Sequence, residues 1–302
     1  MTVSYFPLPV RLLGTIVLFL AAASGALPAS TPAEALLSGY ADADHAVPFA
    51  PGIVNLTDRA DRGSARCVFS PDGTEMLYAR FEGEKMNIMM RRYADGHWSA
   101  ESVAPFSGGG VDFEPCYAAD GSCVYFTSKR GGNGFHLWSC TRGKAGWGEA
   151  KRLTGVMASP NNDLFSMPEG SDFYFVSNRT GGMGGMDLYV AHGFDGSGAV
   201  SVENMGAPVN SSGTEFDPCP DPQGHFLIFS RDGDLYLSRR TDKGGWSDPV
   251  SLGPLVNRPD LYEVAPTLVM DGKVLLFTRF GKDTPPNVFA IGTGRVAAIA
   301  GK

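Results

Sequence analysis

Six carboxylates and a set of arginines recur at fixed distances from one repeated glycine. Counting back from Gly73, Gly121, Gly170, Gly224 and Gly272, the ninth residue is Ser64, Asp112, Asn161, Glu215 or Glu263. The seventh is Arg66, Glu114, Asp163, Asp217 or Ala265, and after each glycine an apolar run ends at Arg80, Arg130, Arg179, Arg231 or Arg279. Two chemistries suit these residue types. Arginine forks can pair the carboxylates and tie neighbouring units together. Carboxylates left over from such pairing can receive a cationic group, a metal ion or sugar hydroxyls, or work as the acid and base of glycoside hydrolysis. The candidate binding set is therefore Asp112, Glu114, Asp163, Glu215, Asp217 and Glu263, with Arg130, Arg179, Arg231 and Arg279. Recurrence in nearly every unit favours pairing, because a catalytic site is one asymmetric constellation.

Other enzyme signatures are missing. The chain has no G-x-S-x-G elbow, no H-E-x-x-H and no G-x-x-x-x-G-K-[ST] phosphate loop. His97, His136, His192 and His225 fall at different places in their units, and none of the five cysteines forms C-x-x-C, so no metal site and no cofactor are expected. Asp232-Gly233-Asp234 offers too few oxygens for a calcium loop.

The elements that position these residues are short strands. The glycines are spaced by 48, 49, 54 and 48 residues, and each opens a run such as "EMLYAR", "CVYFTS", "FYFVS", "FLIFS" or "VLLFTR". A period near 50 made of several strands indicates propeller blades, not a helical solenoid. The runs scarcely alternate with polar residues, as strands covered on both faces by neighbouring blades should not. In "EFDPCPDPQGHFLIFSRDGDLYLSRRTDKGGWSDPVSLG" four strands are separated by Gln-Gly, Asp-Gly-Asp and Lys-Gly-Gly turns. The inner strand runs to the turn and the next runs back, so the acids and arginines should share one face of the disc. The loops "KRGGNGF", "RTGGMGGMD" and "RFGKDTPPN" open on that face. Trp98, Trp147 and Trp246 recur in a second register and suit packing between blades. Cys123 opens one strand of a hairpin and Cys140 ends the next, which places them as a possible disulfide.

"SPDG" before an apolar strand, "SNRTGGMGGMDLYV", "SRRTDKGGWSDPVSLGPLVN" and "FAPGIVN" resemble the WD-repeat-like, Pro-Asp type of β-propeller repeat, the group that includes the TolB propeller. The resemblance spans about residues 49–291. It implies an all-β chain: a five-bladed β-propeller of four-stranded blades, with six blades as the alternative. A ring of five must hide its two edges. Residues 52–57, a strand without its own unit, are expected to close the last blade, with "RVAAIAGK" competing for that role. For function the resemblance implies a non-catalytic protein- or ligand-binding scaffold of the cell envelope. The alternative is a carbohydrate-active enzyme, glycosidase or lyase, using carboxylates at the channel mouth.

Residues 1–26 carry one charge, Arg11, then an apolar run and Ser24-Gly25-Ala26, and read as a signal peptide cleaved after Ala26. Its removal leaves 24 basic against 32 acidic residues. That balance excludes nucleic acid as a partner, and no membrane span is expected after cleavage of the signal peptide. Residues 27–51 read as a tether and 52–302 as the propeller. A periplasmic or secreted monomer that engages an envelope protein or a glycan is expected.

Overall fold

The computed structural model describes residues 30–56, 62–108, 110–132, 134–196 and 198–301. The cleavage site expected after Ala26 lies outside them, as does Thr57. Among the described residues, five antiparallel sheets form a ring, each running from an inner strand outward. Blade 1 is built from Arg62–Phe69, Glu75–Glu82, Lys85–Ala94 and Ser102–Val103, and blade 2 from Asp112–Tyr117, Cys123–Ser128, His136–Gly143 and Lys151–Arg152. Blade 3 is Asp163–Glu169, Asp172–Ser177, Asp187–His192 and Ser201–Asn204, and blade 4 is Glu215–Pro220, Phe226–Arg231, Asp234–Arg239 and Val250–Ser251. Blade 5 takes Tyr262–Val269, Val274–Gly281 and Thr284–Gly292 from the end of the chain and Val47–Pro48 from its beginning. The repeated glycines all have positive φ, between 58° and 79°, which explains why glycine opens every second strand.

Five apolar clusters lie between successive blades, one for each contact around the ring. Phe126, Phe173, Phe175, Phe229 and Phe277 on the second strands are almost wholly buried in them. Each such side chain contributes about 1.5–3 kcal/mol by leaving water. Trp98, Trp147 and Trp246 each pack against one of these clusters. Trp147 and Trp246 also carry an arginine on the ring face, Arg142 at 4.1 Å and Arg240 at 4.0 Å.

The ring is closed by an N-terminal strand, but not at residues 52–57. Val47 pairs with Ala290 and Pro48 with Phe289, while 52–54 form a turn. The "GIVN" of that turn repeats the "APVN" and "PLVN" that link later blades. Asn210 brackets Leu188, accepting from its N–H at 2.8 Å and donating to its carbonyl at 2.9 Å. Asn257 does the same to Leu235, and Asn55 to Val288, at 2.9 and 2.7 Å. An asparagine side chain thus does there what a strand would have done, and the true closing strand lies a few residues upstream. Asn55→Ala strips both bonds to Val288, and a third to the Phe49 carbonyl, from buried backbone where the two ends of the chain close blade 5. A loss of about 2 kcal/mol is expected, seen as a Tm lowered by roughly 5 °C in thermal unfolding.

Residues read as a tether are packed against the ring. The helix Pro32–Leu37 has the anticipated capping box, in which Thr31 N–H donates to Glu34 Oε2 and Glu34 N–H donates to Thr31 Oγ1. Ala33 N–H donates to the carbonyl of Gly73, and Ala33 and Leu37 are buried. The helix sits beside the axial channel on the face that carries the repeated glycines, the turn face. No helix among the described residues is long and apolar enough to cross a membrane.

Candidate functional site

On the opposite face, the loop face, inner and second strands bring the acids and arginines together as five stations. Asp112 meets Arg130 at 2.7 Å, Asp163 meets Arg179 at 2.9 Å, Glu215 meets Arg231 at 2.8 Å and Glu263 meets Arg279 at 2.6 Å. At the first station Ser64 replaces the acid. It accepts from Arg80, whose other nitrogen reaches Glu101 at 2.6 Å. These pairs are internal to a blade and do not join two blades. The tie to the preceding blade comes from the arginine's remaining N–H groups, which donate to carbonyls of the incoming link: Arg130 to Phe106, Arg179 to Val156 and Met157, Arg231 to Pro208 and Val209, Arg279 to Val256. Asp112, Asp163, Glu215 and Glu263 are at most 1% exposed. Burial raises the Glu263 carboxyl, with Arg279 pulling the other way. These residues are joints of the scaffold.

The spacing from glycine misplaces one acid. It groups Asp163 with Glu114 and Asp217, whereas the structure sets it beside Asp112, Glu215 and Glu263. Blade 3 turns within two residues, Glu169 pairing with Asp172, while blade 1 spans from Phe69 to Met76. A turn shorter by a few residues moves the glycine relative to the strand.

Two residues further along every inner strand the ladder slips, and the residue there takes positive φ: Arg66 at 36°, Glu114 at 55°, Phe165 at 51°, Asp217 at 56° and Ala265 at 53°. Such bulges bend the strand and re-aim one side chain, at a strain of about 1 kcal/mol or more each. Here they face the axis. The bulge N–H is not wasted: Arg66 donates to Thr278 Oγ1 and Phe165 to Thr127 Oγ1, both on the preceding blade.

Three of the five bulge residues are charged and meet in the channel. Arg66 Nη1 donates to Glu114 Oε2 at 2.8 Å and lies 4.0 Å from Asp217 Oδ1. Ser230 Oγ donates to Asp217 Oδ2. The three are buried, at 1%, 4% and 2% exposure. Burial pushes the Glu114 carboxyl up to about 8; Arg66 opposes the rise and Asp217 adds to it. Asp217 is raised too, by burial, against Arg66 and the backbone N–H of Ala265. Arg66 Nε and Nη2 and Asp217 Oδ1 find no hydrogen-bond partner among the described residues. Toward the loop face the rings Phe135, Phe113, Phe165 and Phe216 form an edge-to-face chain at 5.4–5.6 Å that runs from blade 2 to blade 4. Arg66 is absent from the candidate set read from the sequence, although it is the one base in a column with Glu114, Asp163, Asp217 and Ala265; the bulge that gathers the three left no mark there.

On the turn side of this triad the channel widens into a cavity of about 350 Å³. Every blade gives it the same inner-strand position, Val68, Cys116, Met167, Cys219 and Thr267, beside neighbours that include Ser70, Glu169 and Asp271, and Thr31, Ala33, Glu34 and Leu37 of the capped helix border it. The disulfide between Cys123 and Cys140 is absent, and all five cysteines are free. Cys123 pairs with Thr141 and Cys140 with Val124, so the two lie one register apart and point to opposite faces of blade 2. No group of three or more His, Cys, Asp or Glu suited to a metal ion occurs among the described residues.

No protein-family model matches the chain, and no curated protein does. Solved structures do. The chain is similar to α-L-arabinofuranosidase from Lactobacillus brevis at a TM-score of 0.52 and 12% identity, over 77% of this chain and 90% of that one. It is also similar to a putative TolB from Agrobacterium tumefaciens, at 0.49 and 14%, over 76% and 83%. A third likeness is to TolB from Acinetobacter baumannii, at 0.47 and 16%, over 75% of this chain and 54% of that one, so this chain spans about half of that protein. Likenesses this remote bear on the fold alone. The five-bladed β-propeller is the finding, and TolB-like propellers are among its neighbours.

Proposed function

We propose that the chain is an exported, non-catalytic β-propeller that holds a binding surface rigid for a partner in the cell envelope. The observation that carries this reading is the state of the carboxylates. Every acid the sequence offers for catalysis is either bonded to the arginine of its own blade or enclosed with Arg66, and none stands open to a substrate. A closed ring with bonded stations presents loops that need little ordering on binding. The loop face displays Val156, Met183, Leu255 and Tyr262, each more than a third exposed, around those stations.

One observation favours a second reading. Glu114, held up at about 8, and Asp217 share one channel, which imitates the protonated acid and its partner in a carbohydrate-active enzyme. Their burial, at 4% exposure or less, weighs against it.

A photo-crosslinking residue placed at Met183 or Tyr262 in the native envelope separates the two, with Asp120 on the turn face as control. The binding reading predicts one protein captured from the loop face and none from Asp120. Turnover of arabinan or pectic polysaccharide by the mature chain, abolished in Asp217→Asn and Glu114→Gln, would refute it and establish the enzyme.

A further inference from the structure

The turn-side cavity is lined by sulfur on three consecutive blades. Cys116, Met167 and Cys219 occupy the same position of blades 2, 3 and 4, and Cys116 Sγ lies 3.4 Å from Met167 Sδ. Both thiols are buried, at 4% and 2% exposure, yet both border an open cavity. Neither belongs to the rim stations or to the charged triad, and neither packs in a disulfide.

We propose that this end of the channel binds a soft monovalent metal ion, copper(I) by its chemistry, through Cys116 Sγ, Cys219 Sγ and Met167 Sδ.

Ligand type sets the choice. Two thiolates and a thioether are soft donors, which select copper(I) over the hard cations that need oxygen. A structural zinc site needs four protein ligands, and the two remaining positions of the ring hold Val68 and Thr267. Copper(I) is satisfied by three. Loading releases the two S–H protons to solvent, with no change of oxidation state, and leaves one net negative charge at the metal. The guanidinium of Arg66 stands two residues away along the channel, with Nε and Nη2 unpartnered among the described residues. Burial pushes Cys116 up to about 12 and Cys219 up to about 11, while the Arg66 charge favours both thiolates, and the backbone N–H of Leu268 assists at Cys219. Ala33 and Leu37 bring apolar surface to the cavity, beside Thr31 and Glu34.

The test is titration of the full mature chain, under reducing conditions, with copper(I) against a colorimetric copper(I) chelator, followed by X-ray absorption of the loaded protein. One copper per chain in an all-sulfur environment is expected. C116A/C219A should lose that binding and Met167→Leu should weaken it, while C67A/C123A/C140A should keep it. Thermal unfolding of each variant establishes that it is folded, and copper should raise the Tm of the wild type and of C67A/C123A/C140A but not of C116A/C219A. The proposal is overturned if the chelator strips all copper from the wild type, if the C67A/C123A/C140A variant loses the binding, if the absorption spectrum reports nitrogen or oxygen ligands, or if zinc(II) displaces copper(I).

Discussion

Arg66→Met is expected to remove about 3–5 kcal/mol of stability near neutral pH, a fall in Tm of roughly 10 °C or more. Methionine keeps most of the buried stem but none of the charge. Glu114 and Asp217 then share a buried axis, with the cation that lay 2.8 and 4.0 Å from them gone. Like charges in one site disfavour ionisation of both, so both carboxyls rise further above their ordinary values. A carboxyl whose folded value is raised stabilises the fold below its unfolded value and gives that stability up as the pH climbs toward the folded one. The deficit of Arg66→Met should therefore be small near pH 4, where both acids are neutral, and grow as Asp217 ionises beside Arg66 in the wild type, with Glu114 adding to it only above about pH 8. Arg66→Lys, which restores charge without the fork, should fall between. Adding Glu114→Gln and Asp217→Asn to Arg66→Met should recover much of the loss, because nothing ionisable then remains in the axis. Thermal unfolding of the four proteins across pH 4.5–8 decides it. A deficit that does not change with pH would mean that Arg66 acts by packing alone.

How much of this could be read in the sequence depends on whether a feature is local. The ring was legible because its signals are repeated and short: a glycine at positive φ, an apolar run, an arginine where the strand emerges. The rim stations were legible for the same reason, and their spacing failed only in blade 3, where a tighter turn displaced Asp163. The closing strand was misplaced because the link before blade 1 resembles a strand in composition, while its pairing is done by the Asn55 side chain. The disulfide failed by one residue of register, and in a strand one residue exchanges the two faces. The axial triad and the sulfur-lined cavity were the least legible. They are formed by residues about 48 to 150 positions apart, brought together by bulges and by closure of the ring, and neither device has a sequence signature of its own.

The triad also sets an acid-side optimum that one substitution should erase. Glu114 keeps its proton to about pH 8 in the folded chain, because burial and Asp217 outweigh Arg66, while the unfolded chain releases it near the ordinary 4.5. Between those values the folded state binds more protons than the unfolded state, so stability must fall as pH rises. Below 4.5 the contribution is fully present, and above 8 the slope ends. Integrated across that window the loss is on the order of 5 kcal/mol, and the raised Asp217 adds to it in the same sense. Glu114→Gln fixes the neutral form in nearly the same shape, leaving Asp217 free to ionise against Arg66. The variant should match the wild type near pH 5 and exceed it increasingly toward pH 8. The acidic balance of the whole chain also lowers stability at high pH, but equally in both proteins, so the difference between their denaturant midpoints isolates the axis. Parallel curves, or a wild type that gains stability from pH 5 to 8, would show that Glu114 enters the fold ionised and that Arg66 alone governs the channel.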